Sequence, residues 1–387
     1  MATFVEQLQQ QMRSAGLSLG ALARAVNYDK SYLSKVINGH KPVTRRLADR
    51  LDHVLGTDGA LSALVSPVVG GIVITPGVLT PDEVEQLAHA VAEQRASTVA
   101  VGLFERLLNH HRSGGSHPLP RVLAQTVPAE VQALLDLRHD AGERVRRGLL
   151  ATASQYGQFI GRMAFEAGHD ADAERWSGLA LEWALAARDA QHAAYVLMRR
   201  STYAAEFGDP QRVVDLARAA REGPWRLTPG VVSLACRHEA KGHALAGDAG
   251  TCRHLLEEAA ELFEERIPEQ EPPYARDHSR AFLQAQTAEY DLNLGRVGPA
   301  IAVLQRTIGD LPVSRHRAYS MAKLAHGHAA DHDIDAAATV ALEALPIAHQ
   351  TGGVRAVREL RRLRDNLATA RHRPAVRELF RALGTVR

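Results

Sequence analysis

The chain has 387 residues, 45% of them hydrophobic and 5% aromatic, which leaves room for two or three packed domains and excludes a disordered chain. Its 46 Lys and Arg stand against 44 Asp and Glu, so net charge alone names no partner and only local clustering can. Ala, Leu, Arg and Glu dominate, and these side chains lose little freedom on a helix. Cys236 and Cys252 form no metal-ligand spacing and suit a reducing compartment. The first twenty residues lack the basic-then-apolar profile of a signal peptide, and no apolar run reaches membrane-spanning length. A soluble, cytoplasmic protein without a membrane partner is expected.

Residues 4–15 predict a first helix with Phe4, Val5, Leu8 and Met12 on one stripe and Gly16 as its stop. Ser18 is placed to cap a second helix that turns Leu19, Leu22, Ala23 and Val26 inward. Asn27 tolerates the left-handed backbone of a sharp turn, and Asp29 caps a third helix with its charge at the positive end. Leu33 and Val36 anchor that helix, Tyr32 lies at its margin, and Gly39 ends it. Lys30, Ser31, Ser34, Lys35 and Asn38 are left to point outward. From Lys30 to Ala48 the chain carries Lys30, Lys35, Lys41, Arg45 and Arg46 and no acid, a pattern suited to phosphate.

A small residue at Ala23, a turn former at Asn27, then Leu33 and Val36 is the spacing of two helices crossing steeply over a short turn. In a helix-turn-helix the second helix enters the DNA major groove, which is wide enough for one helix. Lys30, Ser31 and Lys35, with Tyr32 and Ser34 between them, form the base-reading set. Ser18, Asn38, Lys41, Thr44, Arg45 and Arg46 form the phosphate-contacting set. The structural alternative is an ordinary helical hairpin with a solvated face. The stretch "LARAVNYDKSYLSKVINGHKPVT" resembles the xenobiotic-response-element family of lambda-repressor-like regulators, which usually has glycine where this chain has Asn27. The resemblance implies a five-helix domain. Residues 44–55, with Leu47, Leu51, Val54 and Leu55 inward, fit its fourth helix, and residues 61–65 fit a stub of the fifth.

Residues 66–81, "SPVVGGIVITPGVLTP", mark a boundary by their proline, glycine and β-branched content. Ile72, Val73 and Ile74 read either as packed linker or as a short strand, including one paired across a dimer. Helical periodicity then returns, over residues 82–109, 127–138 and 142–167, with a loop at 110–120. Beyond it a pattern recurs: an Ala-rich helix, a small-residue turn, a second Ala-rich helix. Gly168, Gly208, Gly247, Gly295 and His332 mark the turns at steps of 40, 39, 48 and 37 residues, a period of stacked helical hairpins.

These hairpins resemble tetratricopeptide repeats, though longer than the usual ~34 residues, and residues 82–147 match that pattern poorly. The resemblance implies a superhelix whose first helices line a concave groove. Polar residues on those helices are Arg199, Tyr203, Arg237, Lys241, Gln286, Asn293, Tyr319 and Lys323; converging, they would favour an acidic group such as a peptide carboxylate. Each also reads as a solvated charge or polar group. The whole arrangement resembles bacterial regulators including the peptide-pheromone receptors, which implies a signalling peptide or small molecule as ligand.

Catalytic and metal motifs are not supported. His238 and His243 are five apart, not the four of a zinc-protease helix. His326, His328 and His332 with Asp331 and Asp333 fall at an inter-helix turn, and His110, His111 and His117 fall in the loop. Gly70-Gly71 and Gly114-Gly115 lack the Lys-Ser/Thr of a phosphate loop. No enzyme, metal or cofactor is expected. The expected fold is all-α: a five-helix lambda-repressor-like helix-turn-helix domain over 1–65, a linker over 66–81, and a tetratricopeptide-like helical-hairpin superhelix over 82–387. The expected function is a homodimeric transcriptional regulator that binds double-stranded DNA at a two-fold operator and senses a ligand. Two alternatives remain: a scaffold whose helix-turn-helix docks a protein, and a ligand-independent regulator whose repeats only dimerise.

Overall fold

The computed structural model describes residues 4–38, 43–65, 67–75, 77–113, 121–276 and 278–384. Gly39, Lys41, Ser66, Gly114, Gly115 and His117, which the sequence reading uses, lie outside the described residues. Among the described residues the regular structure is helical apart from one two-stranded hairpin. Residues 1–110 with 123–146 form one compact unit, and residues 111–122 with 147–387 form another.

The first unit begins with α1 (Phe4–Ser14), α2 (Leu19–Ala25), α3 (Lys30–Ile37) and α4 (Arg45–Leu55). Their inward side chains Leu8, Leu22, Ala23, Val26, Leu33, Val36, Leu47 and Leu51 close one core with Leu61. Capping follows the sequence: Ser18 accepts from the Ala21 N–H at 3.2 Å, Asp29 from Ser31 at 2.8 Å and Thr44 from Leu47 at 3.3 Å. The expected fifth-helix stub is a single 3-10 turn, Ser62–Leu64. Asp52 on α4 ties it down, accepting from the Leu61 and Ser62 N–H groups at 2.8 and 2.7 Å and from the Thr57 hydroxyl.

The segment of Ile72 and Val73 is a strand, and its partner is in the same chain. β1 (Val68–Val69) and β2 (Ile72–Val73) pair antiparallel with Val68 opposite Val73 and Val69 opposite Ile72. Gly70 and Gly71 make the connection with φ of 53° and 86°, the double positive φ of a two-residue hairpin turn. Then come α5 (Pro81–Ala92), α6 (Thr98–Ser113) and α7 (Arg121–Leu137). α5 opens with a capping box between Thr80 and Glu83.

The second unit is a helical repeat. Its hairpins are α8 (Glu143–Glu166) with α9 (Asp170–Ala187), α10 (Ala190–Glu206) with α11 (Pro210–Glu222), and α12 (Pro229–Leu245) with α13 (Ala249–Glu265). A short α14 (Pro273–Arg276) precedes α15 (Arg280–Asn293) with α16 (Val297–Thr307), α17 (Arg315–Ala330) with α18 (Ile334–Thr351), and α19 (Val354–Asn366) with α20 (Pro374–Gly384). The insertion that carries α14 accounts for the one long step of 48 residues in the period.

All five residues that mark the period have positive φ: Gly168 81°, Gly208 73°, Gly247 82°, Gly295 76° and His332 64°. The next residue's N–H closes back five positions in each case, His169 to Ala164 at 2.8 Å, Asp209 to Ala204 at 3.1 Å, Asp248 to His243 at 2.9 Å, Arg296 to Asp291 at 2.8 Å and Asp333 to His328 at 2.9 Å. That bond satisfies a carbonyl the ending helix would leave bare. Small residues let the helices approach. Ala180, Ala184, Ala240, Ala244, Ala259, Ala322 and Ala325 are fully buried, and the Ser154 and Ser233 hydroxyls donate to the Ala180 and Ala259 carbonyls at 2.6 Å, the same tie in two hairpins.

Gly242 marks the closest approach of α12 to α11: a Cβ there would stand 2.6 Å from Val214 Cγ2 and 2.9 Å from the Val214 nitrogen. Gly242→Ala should therefore destabilise the protein by about 1–3 kcal/mol through overpacking. His332→Gly should do the reverse, stabilising by up to about 1 kcal/mol, because it relieves a side chain from the left-handed region. Thermal and urea denaturation of the two variants against wild type measure both.

Candidate nucleic-acid interface and repeat interior

Three helices fix the outward face of α3. Leu33 and Val36 bury their side chains fully in the core, and this orients Lys30, Ser31, Lys35 and Asn38 to solvent. Tyr32 and Ser34 are half-buried: the Tyr32 ring stacks on Tyr28 at 5.5 Å, and Ser34 accepts from the Asn38 amide at 3.4 Å. The turn has its left-handed residue where the sequence places it, with Asn27 at φ 55°. Arg50 of α4 clamps that turn, donating to the Val26 carbonyl at 3.1 Å with its guanidinium 5.5 Å from the Tyr28 ring centre.

The start of α3 is capped by a carboxylate. The Asp29 carboxylate is held below its usual range, first by the Ser31 N–H and hydroxyl and also by Lys35. It occupies one of the free N–H groups, while Lys30 and Ser31 stand exposed beside it. Among the phosphate set, Ser18, Asn38, Thr44 and Arg46 are exposed. The Ser18 and Thr44 oxygens accept cap bonds and keep their hydroxyl protons to donate. Arg45 opens α4, but its side chain, like Lys41, lies outside the described residues.

Residues 3–65 match the model of a family described as a helix-turn-helix domain. The helix-turn-helix domain supports a DNA-binding regulator. No curated protein matches the chain.

The other sequence-predicted site residues lie in the repeat unit. Lys241 Nζ reaches Glu289 Oε1 at 3.1 Å, and the Tyr319 hydroxyl donates to the same oxygen at 2.9 Å. Lys323 Nζ reaches Glu359 Oε2 at 2.7 Å, and its ammonium stands 5.3 Å from the Tyr319 ring centre. Arg199 lies 6.0 Å from the ring centre of Tyr203, whose side chain is fully buried. Lys241, Tyr319 and Lys323 come together, and Arg199 and Tyr203 form a contact of their own. Arg237 does not join them: it is buried and donates to the Leu283 carbonyl at 3.1 Å. Gln286 is half-buried with an Oε1 that makes no hydrogen bond, and Asn293 is exposed.

Several residues of this interior escaped the sequence reading. Arg355 on α19 pairs with Glu206 on α10 at 3.2 Å and packs 4.2 Å from the Tyr319 ring centre. Arg358 donates to the Phe165 and Glu166 carbonyls of α8 at 2.8 and 3.3 Å. Polar contacts thus run from α12 to α15, α17 and α19, and from α19 back to α10 and α8. The last hairpin is tied to the first two. Aligning the hairpins on their left-handed residues would have found part of this set: nine positions before each stand Phe159, Arg199, His238, Gln286 and Lys323.

Burial in this cationic field sets the protonation states. Burial alone would raise the Glu289 carboxyl, but Lys241, Lys323 and Arg355 outweigh it and hold it down to about 2. Burial, then Arg199, Lys241, Arg355 and His278, push His238 down to about 3. Burial, then Arg315, His278, Arg355 and Arg199, do the same to His316, also to about 3. Both imidazoles are therefore neutral at neutral pH.

His110 and His111 lie on α6, which runs on to Ser113 where a loop was expected from 110. His326 contacts the Glu359 carbonyl at 3.0 Å, His328 is buried, and His332 sits in its left-handed turn. His243 pairs with Asp248 at 3.1 Å, and His111 stacks on Phe159 at 6.4 Å. Among the described residues no group of three or more His, Cys, Asp or Glu is arranged to hold a metal. Cys236 and Cys252 are buried free thiols, and desolvation pushes Cys236 up to about 12. Among the described residues no helix is long and apolar enough to cross a membrane.

Burial and the surrounding cations hold His238 down to about 3 when folded, against 6.5 when free. Between those values the unfolded chain binds more protons, so this group's contribution to stability falls as pH drops below about 6.5 and keeps falling towards 3. His238→Asn should melt with a shallower dependence on pH over that window, read by thermal denaturation at a series of pH values.

Proposed function

We propose that the chain is a transcriptional regulator that reads double-stranded DNA with α3 and senses a ligand through its repeats. The observation that carries the first half is the exposed, acid-free basic face of α3, borne on a core and turn that match a helix-turn-helix domain. Lys30, Ser31 and Lys35, flanked by Tyr32 and Ser34, are the base-reading side chains. Ser18, Asn38, Lys41, Thr44, Arg45 and Arg46 are the phosphate contacts that fix register.

In this reading residues 1–65 form the reading head, residues 66–81 the linker, and residues 82–387 a tetratricopeptide-like domain for dimerisation and sensing. A single head makes few base contacts, so the regulator works as a homodimer on a two-fold operator whose half-sites lie about 34–36 Å apart. A ligand in the repeat interior changes the spacing of the two heads, through different affinity for the two states of the dimer. The interior polar set supports a ligand site, since its side chains converge instead of spreading over a surface. The protein acts in the cytoplasm and performs no catalysis.

Recovery of bound genomic fragments should yield a two-fold sequence motif. On that duplex, fluorescence anisotropy should show affinity falling steeply as salt rises. Lys30→Ala and Lys35→Ala should each weaken operator binding by about 1–3 kcal/mol, roughly 5- to 150-fold, and relax base preference at the positions they read. A chain that prefers no duplex over random competitor at low salt would instead be a scaffold whose helix-turn-helix docks a protein.

A further inference from the structure

A groove runs between the α2–α3 turn and α4 in the helix-turn-helix domain. It has a volume of about 650 Å³, within the range of sites that take small molecules. Ala25, Val26 and Val54 give it an apolar wall, and Arg46, Asp49, Arg50 and His53 bring polar groups to it from α4. These four stand at i, i+3, i+4 and i+7, the spacing of one helical face.

The charges in this lining do not cancel. Asp49, its one carboxylate, already has a partner. Arg50 is engaged with the turn, donating to the Val26 carbonyl at 3.1 Å. Arg46 and His53 are exposed and make no hydrogen bond or ion pair among the described residues. A guanidinium fork takes a carboxylate in two-point fashion, and an imidazole has an N–H to donate whether or not it is protonated. Two free donors beside hydrocarbon match a molecule with an anionic end and an apolar body. A duplex backbone offers the anion without the apolar body.

We propose that this groove binds a small amphiphilic carboxylate, its anionic end held by Arg46 and His53 and its hydrocarbon laid on Ala25, Val26 and Val54. The groove sits against the parts that aim α3. Arg50 clamps the Val26 carbonyl, its guanidinium lies 5.5 Å from the Tyr28 ring centre, and Tyr28 stacks at 5.5 Å on Tyr32 of α3. A charged oxygen within reach of Arg50 outcompetes a neutral carbonyl for it, and a carboxylate held by Arg46 also takes from DNA one of its phosphate contacts. Occupancy therefore lowers duplex affinity. That consequence rests on the reading of α3 as DNA-binding; binding of the carboxylate does not.

The test is isothermal titration calorimetry of the full chain without DNA, with hexanoate and benzoate as probes. At least one should bind at a single site. Acetate, which lacks the body, and benzamide, which lacks the charge, should bind about tenfold more weakly or not at all. Arg46→Gln/His53→Gln should weaken binding by about tenfold. Ala25→Glu, at an exposed position, puts a carboxylate into the groove and should abolish binding. Arg199→Gln should leave it unchanged, which excludes the repeat interior as the site. No heat with either probe, acetate or benzamide binding as tightly as the probes, or unchanged binding in both groove variants overturns the proposal. So does capture of a peptide of alternating Asp and Leu with neither small carboxylate bound, which assigns the face to a protein partner. On a duplex recovered from the genome, saturating probe should lower affinity by about fivefold or more; unchanged affinity overturns the coupling to α3. A chain that binds the probe and no duplex overturns the DNA reading and upholds the groove.

Discussion

One turn is used throughout the chain. A helix ends, a single residue enters the left-handed region, and the N–H after it closes on a carbonyl five positions back. Asn27 does this between the two helices that cross in the reading head, with Tyr28 N–H on the Ala23 carbonyl at 3.0 Å. Gly16 and Gly56 do it at either end of the same small domain, and Arg188 and Gly352 do it between hairpins of the repeat. The geometry of this closure fixes how one helix leaves another, because the bond satisfies a carbonyl that would otherwise be stranded. Glycine adopts the backbone freely; Asn, His and Arg adopt it at a cost that packing on both sides must offset.

With direction set by turns, spacing is set by size. Alanines and glycines fill the seams between helices of the repeat, so backbones approach until there is no room for a methyl, as Gly242 has against Val214. Small seams leave the larger side chains to the faces that do not pack against a neighbour. On the first helices of the hairpins those side chains are Arg, Lys, His, Tyr and Glu, and they meet one another instead of bulk solvent. A polar interior is thus the counterpart of an alanine-rich frame. Burying so many charges costs desolvation that pairing only partly recovers, and Glu206 and Glu359 are each shared, with Arg362 3.5 Å from the one and 2.6 Å from the other.

The sequence was most legible where structure is local. The stripes of α1 to α4, the caps at Ser18, Asp29 and Thr44, and the turn at Asn27 each depend on residues within a few positions of one another, and the first helix stops one residue short of its expected end. The period of the repeat was legible because one residue per hairpin must adopt a positive φ, and even His332, which is not glycine, kept the step. The strand partner of Ile72 and Val73 is local too: the Gly70-Gly71 pair marks a two-residue hairpin turn, though the strand was read without it. Long-range pairing was not legible: Arg199, Lys241, Tyr319 and Lys323 stand out as polar residues on Ala-rich helices, whereas Arg355 gains meaning only from Glu206, 149 residues away. Arg237 illustrates the converse. It shares a helical face with Lys241 by spacing, yet it is spent on the Leu283 carbonyl of α15, which also accepts from the Thr287 hydroxyl.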